Sequence, residues 1–205
     1  RDSLVALPLG VEYHKEGHNQ GLATYFREHL RLELEEILED YTKPDGAAYN
    51  LYTDGLKIYT SIDARLQSYA EEAVQEQMAK VQANFYKDWR KGTPWGSPRV
   101  LQRAVEKTER YRWLQRQGKS EAEIEAIFDE PLKMTVFSWD GGEEAREMSP
   151  LDSVKHYLTM LNAGFLAMDP STGLVKAWVG GIDHKYCQYD DVLSRRQGGS
   201  TFNPI

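Results

Sequence analysis

The sequence predicts an α+β fold with a mostly helical insertion, and three observations carry that expectation. Apolar residues recur at helical spacing over residues 22–41 and again over 64–84, with Arg, Glu, Gln and Lys on the opposite sides. Two nearly continuous apolar runs, Phe165-Leu166-Ala167-Met168-Asp169 and Leu174-Val175-Lys176-Ala177-Trp178-Val179-Gly180-Gly181, are joined by Pro170-Ser171-Thr172-Gly173. They read as a β-hairpin in a sheet covered on both faces. Between these regions, residues 85–148 gather Phe85, Tyr86, Trp89, Trp95, Tyr111 and Trp113 in a highly charged setting, as helices do when a few large rings replace a deep core.

Each element has its own local signal. Residues 1–19 read as irregular. The helix over 22–41 ends at Pro44-Asp45-Gly46. After the bend at Asp54-Gly55, residues 56–61 alternate with Leu56, Ile58 and Thr60 on one side, which predicts a strand. Ser61 or Asp63 then caps the helix 64–84. Ser97-Pro98 opens a helix expected to run to about Gln117 and to stop at Gly118. Ser120-Glu121-Ala122-Glu123 is a capping box for a short helix to Phe128. Met134 to Trp139 reads as a strand ended by Asp140-Gly141-Gly142, and Ser149-Pro150-Leu151-Asp152 starts a helix to about Asn162.

Composition narrows the function. The 205 residues suffice for a core, but 28 % charged residues imply much solvated helix surface. A net charge of −7 leaves no overall basic footprint and argues against nucleic acid as a partner. The aromatics interleaved with Lys and Arg in 85–148 resemble a single-strand platform, but their charge is mixed, and a helical insertion is the preferred reading. No apolar run approaches the ~20 residues of a membrane span, so a soluble piece is expected. The single cysteine, Cys187, allows no internal disulfide and supplies no metal cluster. His14 and His18 stand four apart, but Gly17 and Asn19 disfavour the helix that would pair them on a metal. Neither a metal nor a cofactor is expected.

The stretch with chemical promise is Arg195-Arg196-Gln197-Gly198-Gly199-Ser200-Thr201-Phe202-Asn203-Pro204-Ile205. A serine after two glycines, at the start of a helix, can present an exposed hydroxyl. This stretch and the hairpin from Ala163 to Gly181 together resemble the start of the transpeptidase domain of class A, bifunctional penicillin-binding proteins. Leu56-Lys57-Ile58-Tyr59-Thr60-Ser61-Ile62-Asp63 with Leu66-Gln67 is similar to that family's opening strand and helix. Leu7-Pro8-Leu9 with Gly21-Leu22-Ala23 and Tyr25-Phe26 is similar to the linker leaving its glycosyltransferase domain. The 85–148 segment, with Phe137-Ser138-Trp139 and Met148-Ser149-Pro150-Leu151-Asp152-Ser153, resembles what Bacteroidetes members carry.

The resemblance implies a partial serine β-lactamase-like transpeptidase domain. Residues 1–54 would be the interdomain linker, 55–84 and 149–205 the N-terminal part of the transpeptidase domain, and 85–148 the helical insertion. It implies a parent anchored in the bacterial inner membrane, with this region on the periplasmic side. In such enzymes a serine attacks the D-Ala-D-Ala carbonyl of a peptidoglycan stem peptide, and β-lactams acylate the same serine. By motif position Ser200 is the nucleophile, and Asn203 occupies the place of the family's lysine. An amide cannot take a proton near neutral pH, and losing a positioned base costs ~10²–10⁴ in rate. The Ser-x-Asn and Lys-Thr-Gly elements do not follow within the sequence. This chain alone is therefore expected to be inactive, a piece of a cell-wall transpeptidase; the alternative is a natural non-catalytic scaffold or partner-binding module of the cell-wall machinery. The 85–148 insertion is where cell-wall protein partners would bind. A small sheet of 56–61, 165–169 and 174–179 against helix 64–84 would keep an uncovered edge and apolar face, so self-association is expected.

Overall fold

A computed structural model describes residues 21–89 and 93–195. Ser200, Asn203, His14 and His18 lie outside the described residues. Within them the chain is α+β, with six helices and two small two-stranded sheets. The order is α1 (Thr24–Glu39), α2 (Ala64–Asp88), α3 (Pro98–Glu106), α4 (Glu109–Arg116), α5 (Glu121–Asp129), β1 (Leu132–Ser138), β2 (Gly142–Met148), α6 (Pro150–Thr159), β3 (Phe165–Met168) and β4 (Val175–Val179).

Caps set most of the helix starts. The Asp63 carboxylate accepts hydrogen bonds from the Leu66 and Arg65 amides, which hold its pKa below the usual range. Ser97 and Ser149 each cap a helix whose first residue is proline. At α5 both halves of the expected capping box form: Ser120 Oγ accepts from the Glu123 amide, and the Glu123 carboxylate accepts from the Ser120 amide.

The stretch 97–117 is two helices, not one. Thr108 breaks it: its backbone is extended (φ −69°, ψ 145°), and its hydroxyl donates to Val105 O while accepting from Tyr111 N. One side chain thus closes α3 and caps α4. The bend brings Tyr111 and Leu114 onto Ile124 and Phe128 of α5, forming a satellite core with Val105, Ile127 and Leu151 around it.

The strand expected over 56–61 does not form. The segment still runs to β4, where Ser61 Oγ donates to Val175 O at 2.7 Å and Asp63 N donates to Lys176 O at 3.0 Å. A regular third strand is displaced because the Gln67 side chain of α2 already holds the next polar groups on that edge, Trp178 N and O. The second sheet is a full hairpin: β1 pairs antiparallel with β2 from Leu132↔Met148 to Ser138↔Gly142. Its second strand, Gly142-Glu143-Glu144-Ala145-Arg146-Glu147-Met148, carries little intrinsic strand preference and is formed by pairing with β1. The helix expected to reach Asn162 stops at Thr159; Met160 turns extended (ψ 124°) and enters the core.

That core joins the two sheets. Phe137 and Trp139 from the end of β1 pack on Met78 of α2 and on Met160. A second cluster places Ala70 of α2 against Ala177 and Val179 of β4. From the other side, Phe26 and His29 of α1 lie against the Trp178 ring, His29 stacked on it at 5.4 Å. Thus β4 lies between α1 and α2.

Candidate functional site

The most constrained part of the molecule is the joint where α1, α2, β4 and the loop 180–192 meet. Gln67 sits at its centre and is completely buried. Its carboxamide lies along the outer edge of β4 as a neighbouring strand's peptide group would: Nε2 donates to Trp178 O at 2.8 Å, and Trp178 N donates to Oε1 at 2.7 Å. The remaining Nε2 hydrogen reaches Glu71 Oε1 at 2.8 Å. Glu71 in turn accepts from Ala23 N at 2.7 Å, at the start of α1. Ala23 is held at φ 56°, a left-handed conformation costly for a residue with a Cβ, and this amide contact fixes it there.

Tyr25 closes the joint. Its hydroxyl donates to Cys187 O at 2.5 Å, and burial, reinforced by Cys187 and the nearby aspartates, pushes its pKa well above the usual tyrosine value. Tyr25 leaves no room for a side chain at Gly181, where an added Cβ would come within 2.5 Å of its Oη, and at Gly180 an added Cβ would meet both Tyr25 and Asp190 Oδ1 at 2.6 Å. The Trp178 indole N–H donates to Asp190 Oδ2, while Asp190 Oδ1 accepts from Val192 N, both at 2.9 Å. Asp191 N donates to Gly180 O at 2.6 Å. The chain from 190 to 192 is thereby pinned to the end of β4, and Arg195 is the last described residue before the Ser200 stretch.

Beside the joint is a polar cavity of about 370 Å³, into which Tyr25, Glu71, Phe137, Trp139, Glu143 and Asp183 contribute. Its acids are already engaged. Glu71 braces Ala23 and Gln67, Asp183 Oδ1 accepts from Lys185 N, and Glu143 pairs with Lys185 Nζ. The hydrogen bonds from Lys185 and Tyr186 lower the Glu143 pKa. Among the described residues, no group of three or more His, Cys, Asp or Glu is placed to hold a metal ion. The joint, among the described residues, positions chain segments.

Residues 69–161 match the family model described as the penicillin-binding protein middle domain. The chain carries a penicillin-binding protein middle domain. No curated protein and no solved structure matches the chain. The middle domain runs from within α2, through α3–α5 and the β1–β2 hairpin, to just beyond α6. It supplies one wall of the cavity, Glu71, Val74, Gln75, Phe137, Trp139 and Glu143; the opposite wall comes from Gly21 to Tyr25 and from Trp178 to Asp183. The braced joint is thus where the middle domain meets the chain on both sides of it.

Neither proposed site residue falls among the described residues, so the joint is what sequence reasoning missed. Leu66-Gln67 and Tyr25-Phe26 belong to the quoted resemblance, and Gln67 interrupts the apolar spacing of α2. A glutamine one turn from a helix start on the buried side was the available signal. Its partner, 111 residues away, was not readable. Among the described residues, no helix is long and apolar enough to cross a membrane.

Proposed function

We propose that this chain is part of a peptidoglycan-synthesising penicillin-binding protein of the bifunctional, class A kind, with residues 1–54 linking from a glycosyltransferase domain. In this reading 55–84 and 149–205 begin the transpeptidase domain, and the parent is held in the inner membrane with this region in the periplasm. Ser200 is the acyl-forming nucleophile, attacking the D-Ala-D-Ala carbonyl of a stem peptide or the ring carbonyl of a β-lactam. The observation that supports the reading most is a middle domain at 69–161 followed, in the same chain, by Gly199-Ser200-Thr201-Phe202. The pins at Asp190 to Val192 fit it too, because a nucleophile is useful only on a fixed backbone. The joint's part in this scheme is to hold the approach to Ser200 while the middle domain is carried outside the sheet.

Asn203 favours a second reading, a non-catalytic scaffold of the cell-wall machinery, since a lysine one turn after the serine would be the acceptor of its proton. Labelling the full-length protein with a fluorescent penicillin, with and without Asn203→Lys, separates the two. The acyl-enzyme reading expects labelling at Ser200 in the full-length protein, stronger in the lysine form, and no stable adduct from this chain alone. Absence of labelling in both forms would sink the acyl-enzyme reading and leave the scaffold.

A further inference from the structure

Residues 182–192 follow β4 and precede the Ser200 stretch, and they are clamped at two places. The first clamp is a tight turn gripped by the middle domain. Asp183 O accepts from Tyr186 N at 3.0 Å and from Cys187 N at 2.8 Å, and Asp183 Oδ1 accepts from Lys185 N at 2.8 Å, so residues 183–187 form one unit. From this turn the Tyr186 ring packs against the core of Met78, Phe137, Trp139 and Met160. It stacks on Tyr157 of α6 at 6.3 Å, with 17° between the planes, and lies 5.9 Å from the Phe137 ring of β1. At the start of β2, Glu143 accepts from Lys185 Nζ at 2.6 Å and from the Tyr186 hydroxyl.

The second clamp is at 190–192. Asp190 and Asp191 tie this stretch to β4 through the Trp178 indole and Gly180 O, and its backbone runs directly against Gly164, where an added Cβ would meet Asp191 C at 2.9 Å and Val192 N at 3.0 Å. Only Gln188 and Tyr189 separate this clamp from Cys187, whose carbonyl is also held by Tyr25. So short a connection passes a shift of the turn on to 190–192. The two holds of the middle domain on the turn differ in strength. The Lys185–Glu143 pair is half exposed, at 54 % and 50 %, where water and salt weaken it. The Tyr186 ring is packed on other rings, which screening does not touch, and is the stronger hold.

We propose that Tyr186 is a positioning residue through which the middle domain fixes the backbone leading to Ser200, so that releasing its ring from Tyr157 and Phe137 loosens residues 190–192. The role at Ser200 rests on the acyl-enzyme reading. The coupling of Tyr186 to 190–192 does not, because every contact that carries it lies among the described residues. Tyr186 acts through the backbone and not on the reacting atoms, and a misplacement of about 1 Å at a reacting group can cost ~10² in rate. The middle domain would thus contribute to the rate of acylation without supplying a catalytic residue.

Amide exchange and penicillin acylation of the full-length protein test the two halves separately. Tyr186→Ala should speed exchange of the Asp191 and Val192 amides about tenfold, within the range for residues coupled through shared packing, and leave the Ile124 amide of α5 unchanged. Under the acyl-enzyme reading it should also slow acylation at saturating fluorescent penicillin while the half-saturating concentration stays nearly the same. Tyr186→Phe, which keeps the ring, should restore both. Should Tyr186→Ala fail to fold, Asp190→Ala decides by reciprocity: it opens the second clamp, and the Tyr186 and Cys187 amides should then exchange faster. Unchanged exchange at Asp191 and Val192, or an equal rise at Ile124, overturns the coupling. Faster exchange at 191 and 192 with acylation unchanged overturns the positioning role. No labelling of the full-length protein in either the Asn203 or the Asn203→Lys form sinks the acyl-enzyme reading and that role with it, while the exchange result still decides the coupling.

Discussion

Around β4 the chain is held by side chains that reach across the sequence, whereas α3–α5 are held by groups three or four residues apart. Gln67 to Trp178 spans 111 residues, Tyr25 to Cys187 spans 162, and Ala23 to Glu71 spans 48. In α3–α5, Thr108 meets Val105 and Tyr111, Ser120 meets Glu123, and Lys119 meets Glu123, all within one helical turn. Both regions satisfy their backbone groups, but by different means. The joint buries its hydrogen bonds, where an unmet partner is costly; the helices expose theirs, where water replaces a lost partner cheaply. Damage to the joint should therefore be large and shared between distant segments, and damage to the helices small and local.

The largest effect expected is at Gln67. Gln67→Leu keeps much of the volume but leaves Trp178 N–H and C=O buried without partners, and it should cost about 3 kcal/mol in urea denaturation. Amide exchange at Trp178 should rise in the same variant, while exchange within α4 and α5 stays as it was. Equal loosening of both regions would mean that the joint and the helices are not held independently. Next comes Gly181→Ala, whose methyl would stand 2.5 Å from Tyr25 Oη; about 1–3 kcal/mol of destabilisation should follow. Gly181→Ala combined with Tyr25→Ala should lose less than the two single costs added together, since the second change removes the phenol that the methyl would meet. A strictly additive double variant would mean that the glycine answers to something other than the tyrosine.

The smallest effect is at the α5 cap. Ser120→Ala should cost about 1 kcal/mol, seen as a lowered helix signal on heating. The cap also carries a pH dependence with a definite sign. Glu123, hydrogen bonded by Lys119 and by Ser120, has its pKa lowered from 4.5 to about 2. A depressed carboxylate stabilises the fold above its unfolded pKa, and that contribution fades as pH falls from about 4.5 toward about 2. Glu123→Gln should flatten the response of α5 to acid in that window; an acid response in the variant matching that of the parent chain would assign the effect elsewhere.

The same division explains how much of the fold was legible. Ser97-Pro98, Ser120 with Glu123, Ser149-Pro150 and Asp63 mark helix starts that form as read, because a cap is decided by residues adjacent in sequence. The hairpin β3–β4 was legible from its apolar runs and from the turn at Ser171-Thr172-Gly173. Thr108 was misread because a threonine within a helical pattern looks like a helix residue until its hydroxyl is seen bridging two helices. Residues 56–61 alternate like a strand, but Gln67 holds the edge groups that such a strand would need. For β2, acid-rich and weak in strand preference, pairing with β1 outweighed composition. The candidate site divides likewise: Ser200 and Asn203 were named by motif alone and lie outside the described residues, whereas the joint could be found only from coordinates.

By itself the sequence determined the α+β class, the caps, the hairpin and the likeness to penicillin-binding proteins, because each rests on short-range patterns. Only the tertiary structure decided that a buried glutamine would stand in for a third strand and that Tyr25 would claim the space beside Gly181. Those outcomes depend on which distant group arrives first at a given N–H or C=O, and sequence spacing carries no record of that competition.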